Sequence, residues 1–489
     1  MKNKNSNNNI MMNLIWKFGE RIAAQLVTFI VSIVLARKLL PEHYGAISIV
    51  MIFISIANVF VTGGFGNSLI QKKNADNKDF STVFYFNIIF SVFVYMGLFY
   101  IAPGIANFYD MEILTAVIRI LGIRIIIASI NSVQQAYVSR NMLFKRFFWS
   151  TLLGTIFSGI VGIIMAYKGF GIWALVAQYL TNTITDTLVL WFTVKWRPQL
   201  IFSFRRLRSL FEYGWKLLFS SLLDTGYLQL RGLIIGKIYS SSDLAFYEKG
   251  QQYPNLVVTN INTSIGSVFF PAIAKEQDNK EKVKKMTRIA IQVSSYIMWP
   301  MMIGLAIIAK PLVLLMLTDK WLPCVPYLQI ACITYAFWPI HTANLQAIKA
   351  LGRSDIFLKI EIIKKVIGIG VLLLVMKSGV MAIAISAIFV TVIGSFINAY
   401  PNLDLLQYRY KDQVKDIMPY ISLSILMAIV IYPIGNIINN NFLKILIQIV
   451  SGSTFYLLAS SLLKLRGYQY IKEVVSKRFK FKLFSKISM

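Results

Sequence analysis

The sequence predicts an all-α integral membrane protein with about fourteen transmembrane helices. Two observations predict this class. Hydrophobic residues make up 56% of the 489 residues, with a mean hydropathy of +0.62, and they form separate runs that are long enough to cross a bilayer. A hydrocarbon core about 30 Å thick needs roughly 20 apolar residues per helical span. The predicted spans are residues 12–36, 44–63, 81–103, 113–137, 147–167, 170–194, 211–237, 245–273, 285–308, 325–350, 356–376, 379–402, 414–436 and 440–463.

The gaps between these spans are too short for a soluble domain, and they carry most of the positive charge. A formal net charge of +29 would suggest a nucleic-acid partner in a soluble protein. Here the Lys and Arg residues fall in alternate gaps, as in the run from Lys275 to Arg288. Roughly 33 basic residues lie on one side and roughly 8 on the other, which is a positive-inside bias. We therefore expect a multi-pass protein with both termini in the cytoplasm and no nucleic-acid partner.

The chain termini and the cysteines carry weaker signals. No small-residue cleavage site follows the first apolar run, so we interpret that run as a retained span. Cys324 and Cys332 have no metal-ligand spacing and are interpreted as apolar core residues. The tail from Lys464 to Met489 interleaves Phe with Lys and Arg, and we expect it to lie on anionic cytoplasmic lipid.

A basic, Pro-containing stretch at Lys195 to Arg208 divides the predicted spans. We therefore predict residues 1–200 as a first half with spans 1–6, and residues 201–406 as a second half with spans 7–12. Residues 407–489 hold spans 13–14 and the cationic cytoplasmic tail.

Polar residues form stripes with helical spacing inside several spans, for example Lys17, Arg21 and Gln25 in the first. Ionisable groups cost several kcal/mol each inside a membrane and usually face a bundle interior or a wet cavity. We therefore predict a water-filled cavity between the halves; purely structural contacts between helices are the alternative. The predicted cationic, substrate-binding residues are Lys17, Arg21, Arg119, Arg124, Lys216, Arg231 and Lys249. The predicted polar lining consists of Gln25, Asn58, Gln252, Asn255, His341 and Asn344.

The predicted cationic residues extend from one leaflet to the other, which suits an anionic headgroup, because guanidinium groups bind phosphate in bidentate fashion. No GxxxxGK[ST] motif is present, so ATP hydrolysis through a P-loop is excluded. The outward gaps, such as Asn107 to Glu112, are too small for an acidic catalytic loop. We expect no enzymatic activity, no catalytic residue and no metal site.

The order of several short motifs resembles that of the Wzx-like polysaccharide transporters of the MOP superfamily. These motifs include Gly19-Glu20-Arg21, the run Leu35 to Pro41 followed by Tyr44-Gly45, and Gly63-Gly64-Phe65-Gly66. The second half matches through Ile234-Ile235-Gly236-Lys237, Asp243 to Tyr247, Phe270-Pro271-Ala272 and Ala350 to Asp355. Many relatives have an acid just before the Ile-Ile-Gly stretch, whereas this chain has Arg231-Gly232.

The resemblance implies two six-helix lobes in a V, followed by two further spans, in a bacterial cytoplasmic membrane. It also implies a flippase that moves undecaprenyl-diphosphate-linked oligosaccharide by alternating access, for capsule, O-antigen or exopolysaccharide assembly. A glycan polymerase of the same pathway is then an expected partner. Coupling to protons or sodium would use Glu20, Asp224 or Glu248, and no other cofactor is expected. The alternatives are a cation-coupled multidrug exporter of the same superfamily and a glycan polymerase or ligase.

Overall fold

The computed structural model describes Gly19, residues 22–62, residues 64–474 and Ser476. The predicted site residues Lys17, Glu20 and Arg21, and the end of the cationic tail, therefore lie outside the described residues. Every regular element in the described part of the chain is a helix. The prediction of an all-α protein is confirmed.

The chain forms two compact units that divide between Ala245 and Phe246. The predicted domain boundaries near residues 200 and 406 stay predictions. The helices of the first unit are α1 (residues 22–38), α2 (Pro41–Thr62), α3 (Phe65–Gln71), α4 (Asn77–Phe108), α5 (Ile113–Arg140), α6 (Phe144–Tyr167), α7 (Ile172–Thr193) and α8 (Phe204–Ile238). The next helix, α9 (Ser241–Lys275), begins in the first unit and continues in the second.

The second unit contains the rest of α9, ten further α-helices and one short 3₁₀ helix within the described residues. They are α10 (Lys280–Ile307), α11 (Ala309–Met316), the 3₁₀ helix Asp319–Cys324, α12 (Val325–Ala336), α13 (Trp338–Ala350), α14 (Ser354–Val375), α15 (Val380–Ala399), α16 (Pro401–Leu406), α17 (Tyr410–Ile437), α18 (Asn441–Leu462) and α19 (residues 466–474).

A helix lies in each interval that the sequence predicted as a span, as far as the residues are described. Eight described segments are long and apolar enough to cross a bilayer, which confirms a multi-pass membrane protein. They are Pro41–Thr62, Asn77–Phe108, Ile113–Arg140, Phe144–Tyr167, Lys280–Ile307, Val380–Leu406, Tyr410–Ile437 and Asn441–Leu462. The tenth predicted span is two helices of 12 and 13 residues that meet at Phe337. The full number of fourteen spans stays a prediction.

An ion-pair cluster links the starts of α4 and α8 in the first unit. Asp76 and Asp79 form a reciprocal capping box at the start of α4. The Arg206 guanidinium pairs with both carboxylates, and Lys72 Nζ lies 2.8 Å from Asp79 Oδ1. Partial desolvation raises the pKa of Asp76, but hydrogen bonds from the Asp79 amide and from Arg206 outweigh it and keep that pKa below its usual value. Fully buried Asp79 thus has two cationic partners.

Gly45 in α2 allows a close approach to the start of α9. A Cβ atom built on Gly45 would lie 1.7 Å from the carbonyl oxygen of Ser241. Real Cβ atoms never come so close to backbone, and backbone on both sides leaves no flexible side chain to move aside. The close packing of α2 against the start of α9 therefore explains the glycine of the Tyr44-Gly45 motif.

We expect Gly45→Ala to destabilise the protein by at least about 3 kcal/mol, at the upper end of overpacking effects. Fluorescence-detected size-exclusion chromatography of detergent extracts should show little monodisperse protein. The matched control is Gly97→Ala in α4, where an added Cβ would meet nothing within 4 Å. Equal yields of the two variants would contradict the packing role of Gly45.

A charged network joins α10 to α17 in the second unit. Arg288 binds Asp416 in bidentate fashion, with two N–O distances of 2.6 Å. Gln292 donates to the same carboxylate at 2.8 Å, and the Tyr408 hydroxyl donates to it at 2.7 Å. Asp416 thus accepts from three side chains at the start of α17, and all of its partners belong to the second unit.

We expect Asp416→Asn to lower stability by about 2 kcal/mol, because it leaves Arg288 without its counter-charge. The exposure of the Arg288 side chain, 41%, keeps the loss below that of a fully buried pair. The measurement is the thermal unfolding midpoint in detergent. Asp404→Asn is the control, since Asp404 is exposed on the short helix α16. Indistinguishable midpoints for the two variants would contradict this role.

Candidate functional site

A polar seam crosses the first unit between α5, α6 and α7. We define the α5–α7 seam by Arg124, Asn131 and Gln135 on α5, Ser150 on α6, and Thr183 and Asp186 on α7. The three α5 residues are spaced by seven and four positions and so share one helix face. Thr183 and Asp186 are three positions apart on α7 and share a face in the same way.

At one end of the seam, side chains of α7 and α2 hold the Arg124 guanidinium in place. Arg124 Nε donates to Thr183 Oγ1 at 2.7 Å, and the guanidinium lies 5.3 Å from the centre of the Tyr179 ring. Nη1 contacts the Met51 sulfur of α2 at 3.5 Å. A guanidinium has five N–H donors, so at least three have no partner among the described residues. These contacts orient the cation, and no carboxylate of the described chain pairs with it.

At the other end of the seam, neutral hydrogen-bond donors surround the Asp186 carboxylate. Asn131 Nδ2 donates to Asp186 Oδ2 at 2.6 Å, and Ser150 and Gln135 also hydrogen-bond that carboxylate. Within the described residues no Lys or Arg pairs with Asp186. Seven residues separate Arg124 from Asn131, or roughly 10 Å along α5. The seam therefore has a cationic end and an acidic end.

Asp186 is not among the residues that the sequence predicts for the site, although the sequence carries a signal for it. Asp186 is the only charged residue in the predicted span 170–194. A charged residue inside a span usually faces a bundle interior or a wet cavity. Gln178, Asn182 and Asp186 are also spaced by four residues and so share one helix face, a stripe that the predicted site did not include.

A second polar contact joins α2 to α8, also within the first unit. Gln229 Nε2 donates to Ser55 Oγ at 3.3 Å. Arg231 follows Gln229 by two residues on α8, and Asn58 follows Ser55 by three residues on α2. Arg231 Nε and Asn58 Oδ1 are buried, and neither has a hydrogen-bond partner among the described residues. Arg231 is thus a cation with unused donor capacity in the described structure.

The other predicted cationic residues have different surroundings. Arg119 Nε donates to the Phe99 carbonyl at 3.3 Å, and its guanidinium lies 4.2 Å from the centre of the Phe99 ring. Lys216 is exposed on α8. Lys249 is only 7% exposed, and its Nζ lies 5.6 Å from the centre of the Trp321 ring in the second unit.

The predicted acids and polar lining residues fall into two groups. Asp224, Glu248 and Asn255 are exposed, and Gln25 and Gln252 are half-buried. Asn344 is fully buried and takes part in a closed amide network with Asn402 and Gln413. His341 Nδ1 lies 2.8 Å from Asn398 Nδ2. The contacts of Asn344 and His341 are those of residues that hold α13, α15, α16 and α17 together.

The structure thus places the predicted site residue Arg124 in the same seam as Asp186, and it places Asn58 and Arg231 on α2 and α8, the two helices that the Ser55–Gln229 hydrogen bond joins. It does not bring all the predicted residues into one group. No cluster of three or more His, Cys, Asp or Glu residues suited to a metal ion occurs in the described part of the chain. The chemistry that these contacts support is noncovalent binding of an anion by oriented cations inside a membrane protein.

A helical membrane protein with half-buried arginines inside its helices, incompletely paired among the described residues, belongs to the class of polytopic transporters rather than to a class of soluble binding proteins. A sequence model described as "Polysaccharide biosynthesis protein" matches residues 34–326. This chain belongs to that family of polysaccharide biosynthesis proteins, and its resemblance to the Wzx-like transporters is confirmed.

Two relatives and one solved structure illustrate the similarity. The succinoglycan biosynthesis transport protein ExoT of Rhizobium meliloti is 20% identical over 71% of this chain and 70% of its own length. The teichuronic acid biosynthesis protein TuaB of Bacillus subtilis is 27% identical over 61% of this chain and 62% of its own length. The lipid II flippase MurJ, in an inward closed conformation, has a similar fold with a TM-score of 0.73 and 17% identity. That match covers 93% of this chain and 98% of MurJ.

Proposed function

We propose that this protein moves undecaprenyl-diphosphate-linked oligosaccharide from the inner to the outer leaflet of a bacterial cytoplasmic membrane by alternating access. The observation that carries the proposal is membership of the polysaccharide biosynthesis family over residues 34–326. The similarity to a transport protein for succinoglycan supports a transported glycan, and the fold shared with a lipid flippase agrees with it. The glycan would enter a surface polymer such as capsule, O-antigen or exopolysaccharide.

The diphosphate is the part of this substrate that the arginines would recognise. Arg124 and Arg231 lie within helices and keep N–H donors unused in the described structure. Guanidinium groups suit phosphate oxygens because they donate two parallel hydrogen bonds. The neutral side chains Gln25, Asn58 and Gln252 would bind sugar hydroxyls, and the polyprenyl chain would stay in lipid.

The membrane potential supplies part of the driving force. An inside-negative potential favours outward movement of an anion by about 2.3 kcal/mol per charge per 100 mV. Two negative charges would gain roughly 4–5 kcal/mol if the arginines stay still. If the arginines move with the substrate, the gain vanishes and a proton or sodium ion must couple. Asp186 joins Glu20, Asp224 and Glu248 as a candidate for this coupling, and Asp186 is enclosed by neutral donors whereas Asp224 and Glu248 are exposed.

We further propose that both termini are cytoplasmic, that the C-terminal tail lies on anionic lipid, and that the protein contacts a glycan polymerase. We also propose that the protein is a transporter without enzymatic activity. The positive-inside charge pattern supports the orientation. The cationic, Phe-containing tail supports the lipid contact.

A leaflet-accessibility assay in proteoliposomes tests the proposed function. Labelled undecaprenyl-diphosphate oligosaccharide is loaded, and its exposure to a membrane-impermeant glycan-cleaving enzyme is followed. We expect protein-dependent exposure, faster with a potential or an ion gradient. Exposure no greater than that of empty liposomes under every condition would refute a lipid-linked substrate, and the same vesicles would then be tested for uptake of small organic cations.

A further inference from the structure

A cavity of about 500 Å³ lies in the second unit where α15, α16 and α17 meet. Its lining combines aromatic rings with two cations and consists of Phe396, Tyr400, Leu403, Arg409, Tyr410, Lys411 and Val414. None of these residues belongs to the predicted transport site. The cavity therefore needs a separate explanation.

The local backbone explains why the cavity exists. Helix α15 ends at Ala399, and Pro401 opens the short helix α16. Gln407 then adopts a left-handed conformation with φ 52°, which turns the chain before Arg409 caps α17. This reversal leaves a space between the end of α15 and the start of α17.

The aromatic wall of the cavity is fixed in place. The Tyr410 hydroxyl forms a 2.8 Å hydrogen bond with Ser395 Oγ. The Phe396 and Tyr410 rings meet edge to face, with centroids 5.5 Å apart. A wall held by a hydrogen bond and a ring contact keeps its shape without an occupant.

The two cations of the cavity, Arg409 and Lys411, form no ion pair in the described part of the chain. Both side chains are exposed. The Asp416 carboxylate, which lies further along α17, pairs with Arg288. The open mouth of the cavity therefore attracts an anion.

An apolar stripe on α15 leads to this mouth. Phe389, Ile393, Phe396 and Tyr400 are spaced by four, three and four residues and so lie on one helix face. All four are exposed, at 62%, 41%, 49% and 59%. In a membrane protein such a stripe faces acyl chains. Aromatic residues and cations at its end are typical of the headgroup level of one leaflet.

We propose that this cavity is a binding site for one anionic phospholipid, with its phosphate on Arg409 and Lys411 and its acyl chain along the α15 stripe. The charge selects an anionic headgroup over a zwitterionic one, and the stripe selects a lipid over free phosphate. The site is independent of the transported substrate, and its occupancy would stabilise the turn between α15 and α17.

Native mass spectrometry of the full chain, titrated with phosphatidylglycerol or with phosphatidylcholine of the same acyl chains, tests the proposal. We expect one phosphatidylglycerol to bind roughly tenfold or more tightly than phosphatidylcholine, since each nearby Lys or Arg contributes about a further severalfold preference. The variant Arg409→Gln/Lys411→Gln should lose that preference. The control Lys280→Gln/Lys285→Gln removes the same charge from exposed positions on α10 and should keep it.

A second variant separates the cavity from general electrostatics and from misfolding. Val414→Trp fills the cavity and keeps both cations, and it should weaken binding of phosphatidylglycerol as strongly as the charge variant does. Both variants should still transport in the leaflet assay, so failure of the site and failure of the proposed function are distinguishable.

Four results would overturn the proposal. They are equal affinity for the two lipids, an equal loss in the control, retained affinity in Val414→Trp, and displacement of the lipid by millimolar inorganic phosphate or by the transported lipid-linked glycan. Displacement by phosphate would assign the site to a free anion. Displacement by the glycan would assign it to the transport route.

Discussion

Replacing Arg124 by Gln is expected to reduce transport of the lipid-linked glycan by about ten- to a hundredfold. A hydrogen bond to a charged group contributes about 1.5–3 kcal/mol, and each 1.4 kcal/mol is a factor of ten. Gln keeps a polar side chain toward Thr183 but removes the cation and the bidentate donor pair. The measurement is the initial rate in the leaflet-accessibility assay, normalised to reconstituted protein.

For this interpretation to hold, the Arg124 variants must lose transport while the yield of folded protein stays unchanged. Arg124→Lys keeps the positive charge but lacks the two parallel N–H donors, so a partial loss of the transport rate is expected. Arg231→Gln should resemble Arg124→Gln, because Arg231 also has unused N–H capacity. Lys168→Gln removes one exposed charge from the turn after α6 and should transport normally. Wild-type rates for both arginine variants would refute recognition of the diphosphate by these residues.

Most of the fold could be predicted because each long apolar run in the sequence indicates a membrane-spanning helix without any knowledge of its neighbours. Each predicted span coincides with helix in the described residues, even where polar stripes lower the hydropathy, as in α8 and α9. The short helices α3, α11 and α16 were missed because they lie in gaps or at span ends, where no periodic pattern extends over enough residues. The break at Phe337 was not predicted, although Pro339 lies two residues after it and is a signal for a helix boundary.

The site was less predictable than the fold. Helical spacing identifies which residues share a face, but it does not identify the partner on the next helix. Asn344 has the same polar character as Asn58, yet Asn344 lies in a closed amide network and Asn58 keeps an unpaired oxygen. Only packing distinguishes a structural amide from one with free capacity. For Asp186 the packing shows the opposite. The sequence did not mark it as a site residue, but the structure surrounds its carboxylate with three side-chain donors.

Asp186→Asn is expected to abolish the ion-gradient dependence of transport while leaving the fold intact. An ionised carboxylate inside a membrane protein is costly when only neutral donors surround it. Binding of a proton or sodium ion at Asp186 would relieve this cost, and the asparagine would mimic the neutral state permanently. Transport rates measured with and without a proton or sodium gradient should become equal in this variant. Asp404→Asn, at an exposed acid outside the coupling candidates, should keep the gradient stimulation. Loss of the stimulation in Asp224→Asn or Glu248→Gln, but not in Asp186→Asn, would assign the coupling to one of those acids instead.

Asp186→Ala separates coupling from structure at the same position. Alanine removes the acceptor for Asn131, Ser150 and Gln135. Asn131 and Ser150 are buried, and leaving a buried donor unsatisfied costs about 1–3 kcal/mol. The alanine variant should therefore unfold at a lower temperature in detergent, whereas the asparagine variant should not. If the asparagine variant retains full gradient stimulation, Asp186 serves only to hold α5, α6 and α7 together. Arg124 and Asp186 both lie in the α5–α7 seam, where each contacts the facing helix. A gradient effect at Asp186 would therefore also connect ion binding to Arg124, which we propose binds the diphosphate.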